Sequence, residues 1–163
     1  MSGDLTAKTN AELDTLIANH ERLGKFGAPL FLAALAERDR RKAGGLDLDQ
    51  TLALILREAR EGRFVTYKDV ADQSGRPWNT VRYKVNEHIG VLGQRELARH
   101  SIFPCAMVVG EAGRETGTLT VEQLEGFARF WQRLNPSDTA SGEALLRREQ
   151  DKVIAFARRQ EAP

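Results

Sequence analysis

The side chains best suited to chemistry lie in residues 66–89, which read TYKDVADQSGRPWNTVRYKVNEHI. Val81, Val85 and then His88 or Ile89 recur three to four residues apart, which predicts one inward face of a helix. The opposite face then carries an indole, a phenol, two amides, a hydroxyl and a guanidinium. Such groups read base edges in a DNA groove or bind phosphates. The outward residues are Trp78, Asn79, Thr80, Arg82, Tyr83 and Asn86.

The spacing of small residues around this face is typical of a helix-turn-helix. A first helix is predicted to begin at Thr66, and Gly75 supplies the positive φ that a tight turn between two helices needs. The second, recognition helix is predicted over Pro77 to Ile89. Ala71, Gly75 and Val81 follow the small, glycine, aliphatic order in which two such helices cross. A plain helical corner would satisfy the same spacing, so the exposed residue types are what favour nucleic acid.

The upstream segment predicts helices without chemistry of their own. Residues 1–8 are predicted to be a disordered tail, and residues 9–43 read as two amphipathic helices separated at Gly24, an N-terminal helical hairpin. Ala43-Gly44-Gly45 is the best candidate for a linker, and the main domain is predicted over residues 46–134. We expect the hairpin to cover the core of that domain or to form a homodimer contact.

Downstream of the recognition helix the pattern predicts a wing. Gly90 and Gly93 are expected to break the helix. The apolar run 102–109 and the shorter run 114–119 flank a glycine-containing turn, which predicts a β-hairpin. A C-terminal helix, expected at the surface or in an oligomer contact, is predicted over residues 141–160. The predicted fold class is therefore mainly α with a small β-wing: a winged helix-turn-helix core with an N-terminal helical hairpin and a C-terminal helix.

Composition limits the function classes. The chain has 163 residues, of which 41% are hydrophobic and 29% charged, as in ordinary soluble globular proteins. No apolar run approaches a membrane span and the N-terminus lacks the regions of a signal peptide, so a cytoplasmic protein with no membrane contact is expected. A single cysteine and three histidines without ligand spacing predict no metal and no cofactor. The net charge is only +1, but residues 63–99 hold seven basic and four acidic side chains.

Three segments carry a family resemblance. GRFVTYKDVADQSGRP, VRYKV and FPCAMVV resemble the entry, recognition segment and cysteine strand of the C-terminal winged-helix domain of alkylguanine-DNA alkyltransferases and the related alkyltransferase-like proteins. The resemblance covers roughly residues 62–134. It implies that Tyr67 pushes on the phosphate beside a flipped nucleotide and that Arg82 fills the vacated stack.

The residues around Cys105 depart from that family. Ala106 stands where the family has the histidine that helps to deprotonate the cysteine, and Met107 stands in place of an arginine. A thiol with an ordinary pKa needs such help to become a nucleophile. We therefore expect Cys105 to be a small apolar residue, predict no catalytic residue, and favour a binding protein over an enzyme.

Three functional readings follow. The leading one is double-stranded DNA binding through the winged helix, in a regulatory, mobile-element or defence context, with the loop at 110–116 on the DNA backbone. One alternative is an alkyltransferase-like lesion-binding protein. The other is a protein–protein interaction module anchored by exposed aromatic side chains. The predicted DNA-binding residues are Tyr67, Lys68, Arg76, Trp78, Asn79, Thr80, Arg82, Tyr83, Lys84, Asn86 and Arg114.

Overall fold

Seven α-helices and a two-stranded parallel sheet make up the chain in the computed structural model, which describes residues 4–161. The helices are α1 (Asn10–Arg22), α2 (Pro29–Lys42), α3 (Leu48–Arg60), α4 (Tyr67–Gln73), α5 (Trp78–His100), α6 (Val121–Leu134) and α7 (Gly142–Glu161). The strands are β1 (Val65–Thr66) and β2 (Val108–Val109). Short 3-10 helices lie at Leu5–Ala7, Pro104–Met107 and Glu111–Gly113. The mainly helical class is thus confirmed.

The predicted N-terminal tail is structured where the chain is described. Residues 5–7 form a 3-10 helix, and Leu5 is buried with Leu13 of α1 and Ala34 of α2. The guanidinium of Arg41 donates to the carbonyl oxygens of residues 5, 6 and 8 at 3.3, 3.1 and 2.8 Å. The prediction of disorder was wrong for residues 4–8, because one leucine and one distant arginine anchor a locally polar segment. Residues 1–3 lie outside the described part of the chain.

The main core lies between α3, α4, α5, α7 and the sheet. Val81, Val85 and Ile89 of α5 are buried there against apolar residues of α3 and α7. His88, on the same face, is also fully buried, which confirms the predicted inward side of the helix. At the start of α4, the Thr66 hydroxyl accepts from the N–H of Asp69 at 3.1 Å, and the Asp69 carboxylate accepts from the N–H of Thr66 at 2.9 Å. This capping box sets where α4 begins.

Helix α5 does not end at Gly90 or Gly93, as the sequence predicted, but continues to His100. Ser101, with a φ of 57°, ends it in a left-handed conformation. Gly93 serves another purpose: a Cβ there would overlap the Sγ of Cys105 and lie 2.8 Å from the ring of Phe103. The glycine allows the chain after α5 to pack directly on the helix. A helix interior tolerates such a residue at a cost of about 1 kcal/mol.

The predicted hairpin wing does not form in the described chain. The two strands are parallel, with Val65 opposite Val108 and Thr66 opposite Val109. Residues 110–119 contain no strand, and the 3-10 helix at Pro104–Met107 interrupts the apolar run 102–109. Proline has a fixed φ and no N–H, so it begins a helical turn more readily than it extends a paired strand.

A side chain from α7 takes the place of the missing hairpin partner. The Gln150 amide nitrogen donates to the carbonyl oxygens of Ala106 and Gly117 at 3.0 and 2.8 Å. Gln150 is itself buried. These two bonds satisfy backbone groups that a hairpin ladder would otherwise pair, which is why residues 106 and 117 lie close together without forming strands.

Candidate nucleic-acid interface

The turn between α4 and α5 determines which way α5 faces. Gly75 has a φ of +71°, which only glycine adopts without strain. Ala71 on α4 and Val81 on α5 are both fully buried, so the two helices meet through these small side chains. The first three turns of α5 consequently present their opposite face to solvent.

This outer face carries the predicted groove-reading groups. Asn79, Thr80, Arg82, Tyr83 and Asn86 are all exposed, and Tyr83 keeps 80% of its surface accessible. The guanidinium of Arg82 lies 4.5 Å from the centroid of the Tyr83 ring, within the range of a cation–π contact. The ring and the guanidinium therefore lie together on the exposed face of α5.

Three cations on or beside this face have no acidic partner. Arg76, Arg82 and Lys84 are exposed, and none has a carboxylate within ion-pair distance among the described residues. Lys68, by contrast, pairs with Asp72 one turn along α4 at 3.0 Å. The three free cations therefore carry most of the uncompensated positive charge of this surface.

Three of the predicted contacts lie elsewhere. Trp78 is half-buried against the main core, and Tyr67 is half-buried and lines a cavity. Arg114 is held by carboxylates, with Nη1 3.0 Å from Asp69 and Nη2 2.8 Å from Glu111. Its guanidinium stabilises the capped start of α4, and its charge is neutralised there. Burial raises the pKa of Asp69, but hydrogen bonds from Arg114 and Thr66 outweigh it and hold that pKa below its ordinary value.

A cavity of about 470 Å³ opens beside α5, between that helix, α6 and the segment around β2. Tyr67, Asn86, Cys105, Phe127 and Phe130 are among its lining residues. Most of the wall is apolar or aromatic. Its polar groups are the phenol, the thiol, two amides and one carboxylate, from Tyr67, Cys105, Asn86, Gln123 and Glu122. A pocket of this size and character suits a planar ring of small-molecule dimensions.

The thiol in this cavity is held in its neutral form. Burial raises the pKa of Cys105 to about 12, and its Sγ–H donates to the carbonyl oxygen of Ile89 at 3.2 Å. Burial and the neighbouring thiol also raise the pKa of Tyr67. Cys105 therefore stays a neutral thiol at physiological pH, as expected of a small apolar residue.

This assignment predicts how Cys105 responds to pH. We expect a thiol-specific reagent at about pH 8 to label the folded protein roughly 100-fold more slowly, or slower still, than the urea-unfolded chain, since each rise of one in pKa lowers the thiolate fraction tenfold. Because the pKa of Cys105 is higher in the folded than in the unfolded chain, the contribution of the neutral thiol to the free energy of unfolding is complete below about pH 9. This contribution is lost as the pH rises toward 12. Equal labelling rates for the folded and unfolded chain would contradict the assignment, and Cys105→Ala is the control for the pH dependence.

Two buried hydrogen bonds beneath the candidate interface were not predicted from the sequence. His88 Nδ1 lies 2.7 Å from Asp39 Oδ2, and His88 Nε2 lies 2.8 Å from Thr51 Oγ1. The order hydroxyl, imidazole, carboxylate is that of a nucleophilic triad. Thr51, however, is only 2% exposed, so a substrate has no access to its hydroxyl. The two hydrogen bonds of His88 instead join α2, α3 and α5. Nothing local could reveal them, since Asp39 lies in the basic run RDRRK.

Neither a metal cluster nor a membrane span occurs in residues 4–161. No group of three or more His, Cys, Asp or Glu side chains there is arranged to hold a metal ion. Within the same residues, no helix combines the length and apolarity needed to cross a bilayer.

Comparison of the chain with protein-family models, with curated proteins and with solved structures finds no match.

Proposed function

We propose that the protein binds double-stranded DNA through α4 and α5, which act as a helix-turn-helix with α5 as the recognition helix. The observation that carries the proposal is the group of three exposed cations without acidic partners, Arg76, Arg82 and Lys84, on the surface that also presents Asn79 and Thr80. Basic side chains bind phosphates, and amide and guanidinium groups on the same helix read bases.

In this proposal the first half of α5 lies in the major groove. Arg82 suits the paired acceptors of guanine, and Asn79 suits the donor and acceptor of adenine. Lys84, Arg76, Thr80 and the partly neutralised Lys68 face phosphates. The net charge of +1 implies moderate affinity, because phosphate neutralisation supplies most of the non-specific binding.

The second half of α5 gives the reading face a rigid base. Residues 91–96 are all buried, between the N-terminal hairpin and the chain that follows the helix. A recognition helix held over half its length keeps its exposed residues in one orientation, and the cost of ordering them on binding is small. Since Cys105 is held as a neutral thiol, we propose binding without alkyl transfer, in a regulatory, mobile-element or defence context.

The proposal predicts the effect of removing a base-reading group. Arg82→Ala should weaken duplex binding about 10- to 100-fold, as expected for the loss of 1–3 kcal/mol from a bidentate base contact. The measurement is a mobility shift at low ionic strength with the tightest-binding duplex selected from a mixed-sequence pool. Arg22→Ala, which removes an equal charge from an exposed position on α1, is the control. Unchanged binding by Arg82→Ala, or no binding of any duplex by the unaltered protein, would contradict the proposal.

The cavity beside α5 supports a second candidate, an alkyltransferase-like lesion-binding protein. Tyr67 and Cys105 line it, and a base turned out of a duplex needs such a receiving pocket. With its raised pKa, Cys105 would line the pocket without accepting an alkyl group. In the same mobility-shift series, tighter binding to a duplex containing an alkylated guanine than to its unmodified match would favour this candidate. Equal affinity for the two duplexes would count against it.

A further inference from the structure

The turn between α2 and α3 has an unusual backbone. Gly44 and Gly45 have φ values of +62° and +107°, and the turn closes through a 3.2 Å bond from the N–H of Leu46 to the carbonyl oxygen of Ala43. Two successive positive φ values require glycine or a similarly permissive residue. In the sequence this stretch reads only as a linker.

Two of the free cations of the interface lie directly on this turn. A Cβ added to Gly44 would lie 3.0 Å from Nζ of Lys84, and a Cβ added to Gly45 would lie 2.5 Å from Nε of Arg76. An ammonium from α5 and a guanidinium from the α4–α5 turn therefore lie over consecutive residues of a distant part of the chain. The Arg76 guanidinium has no hydrogen-bond acceptor among the described residues.

The turn also offers backbone donors. Ala43 donates to the carbonyl oxygen of Asp39 at 2.7 Å, whereas the N–H groups of Gly44 and Gly45 have no acceptor in the described chain. Successive free N–H groups in a turn form a concave site that favours an anion. Two unpaired N–H groups therefore belong to the same short turn on which one ammonium and one guanidinium lie.

Two acidic residues on the neighbouring segments lie closer to other groups. Asp47 caps α3, where its carboxylate accepts from the N–H of Gln50 at 2.9 Å. Glu87 of α5 lies 3.7 Å from Lys42 at the end of α2. Neither carboxylate pairs with Arg76 or Lys84, so both cations remain available to an external anion.

We propose that the Gly44–Gly45 turn, Arg76 and Lys84 together bind one phosphate group. A guanidinium and backbone N–H groups suit the oxygens of a phosphate, and the ammonium adds a point charge. Identifying this phosphate with one in a DNA backbone rests on the proposed function. On that identification, the turn outside α4 and α5 positions the recognition helix, because phosphate contacts set orientation on the duplex.

Glycine is required at the turn for reasons of both backbone and space. An alanine at position 45 would displace the Arg76 guanidinium. Gly24, at the end of α1, has a φ of +66°, close to the +62° of Gly44, but nothing lies within 4 Å of a built Cβ. Gly24→Ala therefore reproduces the backbone strain of Gly44→Ala without touching a cation, and it serves as the matched control for that variant.

Two measurements test the site. In duplex binding as a function of salt, Arg76→Gln and Lys84→Gln should each reduce the slope by up to about one, since both side chains contact the same phosphate. Gly45→Ala should weaken binding about tenfold. Gly44→Ala should also weaken binding, whereas Gly24→Ala, its control, should not. In a titration of the unaltered protein with inorganic phosphate, the amide resonances of Gly44 and Gly45 should shift. They should not shift with chloride at equal ionic strength, and Arg76→Gln should abolish the response.

The outcomes separate this site from the function on which it rests. Unchanged salt slopes together with no response to phosphate overturn the phosphate site, even if the protein binds DNA. A response to phosphate in a protein that binds no duplex supports the site for a free phosphate and removes the DNA function. Altered slopes without a response to free phosphate support a site that is specific for the nucleic-acid backbone.

Discussion

His88→Leu is expected to lower the free energy of unfolding by about 3 to 5 kcal/mol, as measured by urea denaturation near neutral pH. The substitution keeps a side chain of similar bulk but removes both ring nitrogens. Asp39 then keeps a buried carboxylate without its partner, and the buried Thr51 hydroxyl loses its bond. Removing one member of a buried, hydrogen-bonded polar pair costs this much because the remaining group stays desolvated.

Two further variants make the result specific. Glu87→Gln alters the preceding residue of α5, but its side chain is 63% exposed and its ion pair with Lys42 is long. We expect a change within about 0.5 kcal/mol for it. Combining His88→Leu with Asp39→Leu should cost less than the sum of the two single changes, because no carboxylate is left buried and unpaired. A fall in the free energy of unfolding of less than about 1 kcal/mol for His88→Leu alone would show that the hydrogen bonds of His88 do not hold α2, α3 and α5 together.

The second large effect concerns the two glycines inside α5. Gly93→Ala should lower the free energy of unfolding by about 1 to 3 kcal/mol, even though alanine is the better helix former by about 1 kcal/mol. A Cβ at position 93 meets the Phe103 ring at 2.8 Å and lies closer still to the Sγ of Cys105. Phe103 is fully buried among Phe127, Phe130 and Trp131, so it has no free space into which to move.

Gly90→Ala is the matched control, three residues earlier in the same helix. The nearest atoms to a Cβ at position 90 belong to Phe130, at an ordinary contact distance of 3.8 Å. Only the helix-forming advantage of alanine then remains, and we expect an increase in stability of up to about 1 kcal/mol. Thermal and urea unfolding of the two variants should therefore move in opposite directions. Destabilisation by both, or by Gly90→Ala alone, would contradict a continuous α5 packed on residues 103–105.

Several elements were predictable because their determinants are local. The capping boxes Thr9 with Glu12 and Thr66 with Asp69 form within three residues and set the start of α1 and α4. The spacing of Val81, Val85 and Ile89 identified the buried side of α5 in the same way. Once that side is known, the exposure of Asn79 and Arg82 follows from helix geometry alone.

The wrong predictions concern features that depend on distant residues. The local sequence around Gly90 and Gly93 does not distinguish a helix break from a site of close packing. The apolar run 102–109 has the composition of a strand, but its pairing was decided by β1, by Pro104 and by Gln150 from α7. The DNA contact of Arg114 stays a prediction from its place in an assumed loop; what the sequence did not show is that Asp69 and Glu111 hold its guanidinium.

The sequence by itself determined the helical class, the helix starts and the polar, basic character of the outer face of α5, since these depend on spacing within a few residues. Only the tertiary structure decided which cations are free, that Cys105 is a half-buried neutral thiol, and that the Gly44–Gly45 turn lies under Arg76 and Lys84. The physical reason is that charge pairing, desolvation and close packing depend on neighbours in space. Residues such as Asp39 and His88, or Gly45 and Arg76, become neighbours only when the whole chain folds.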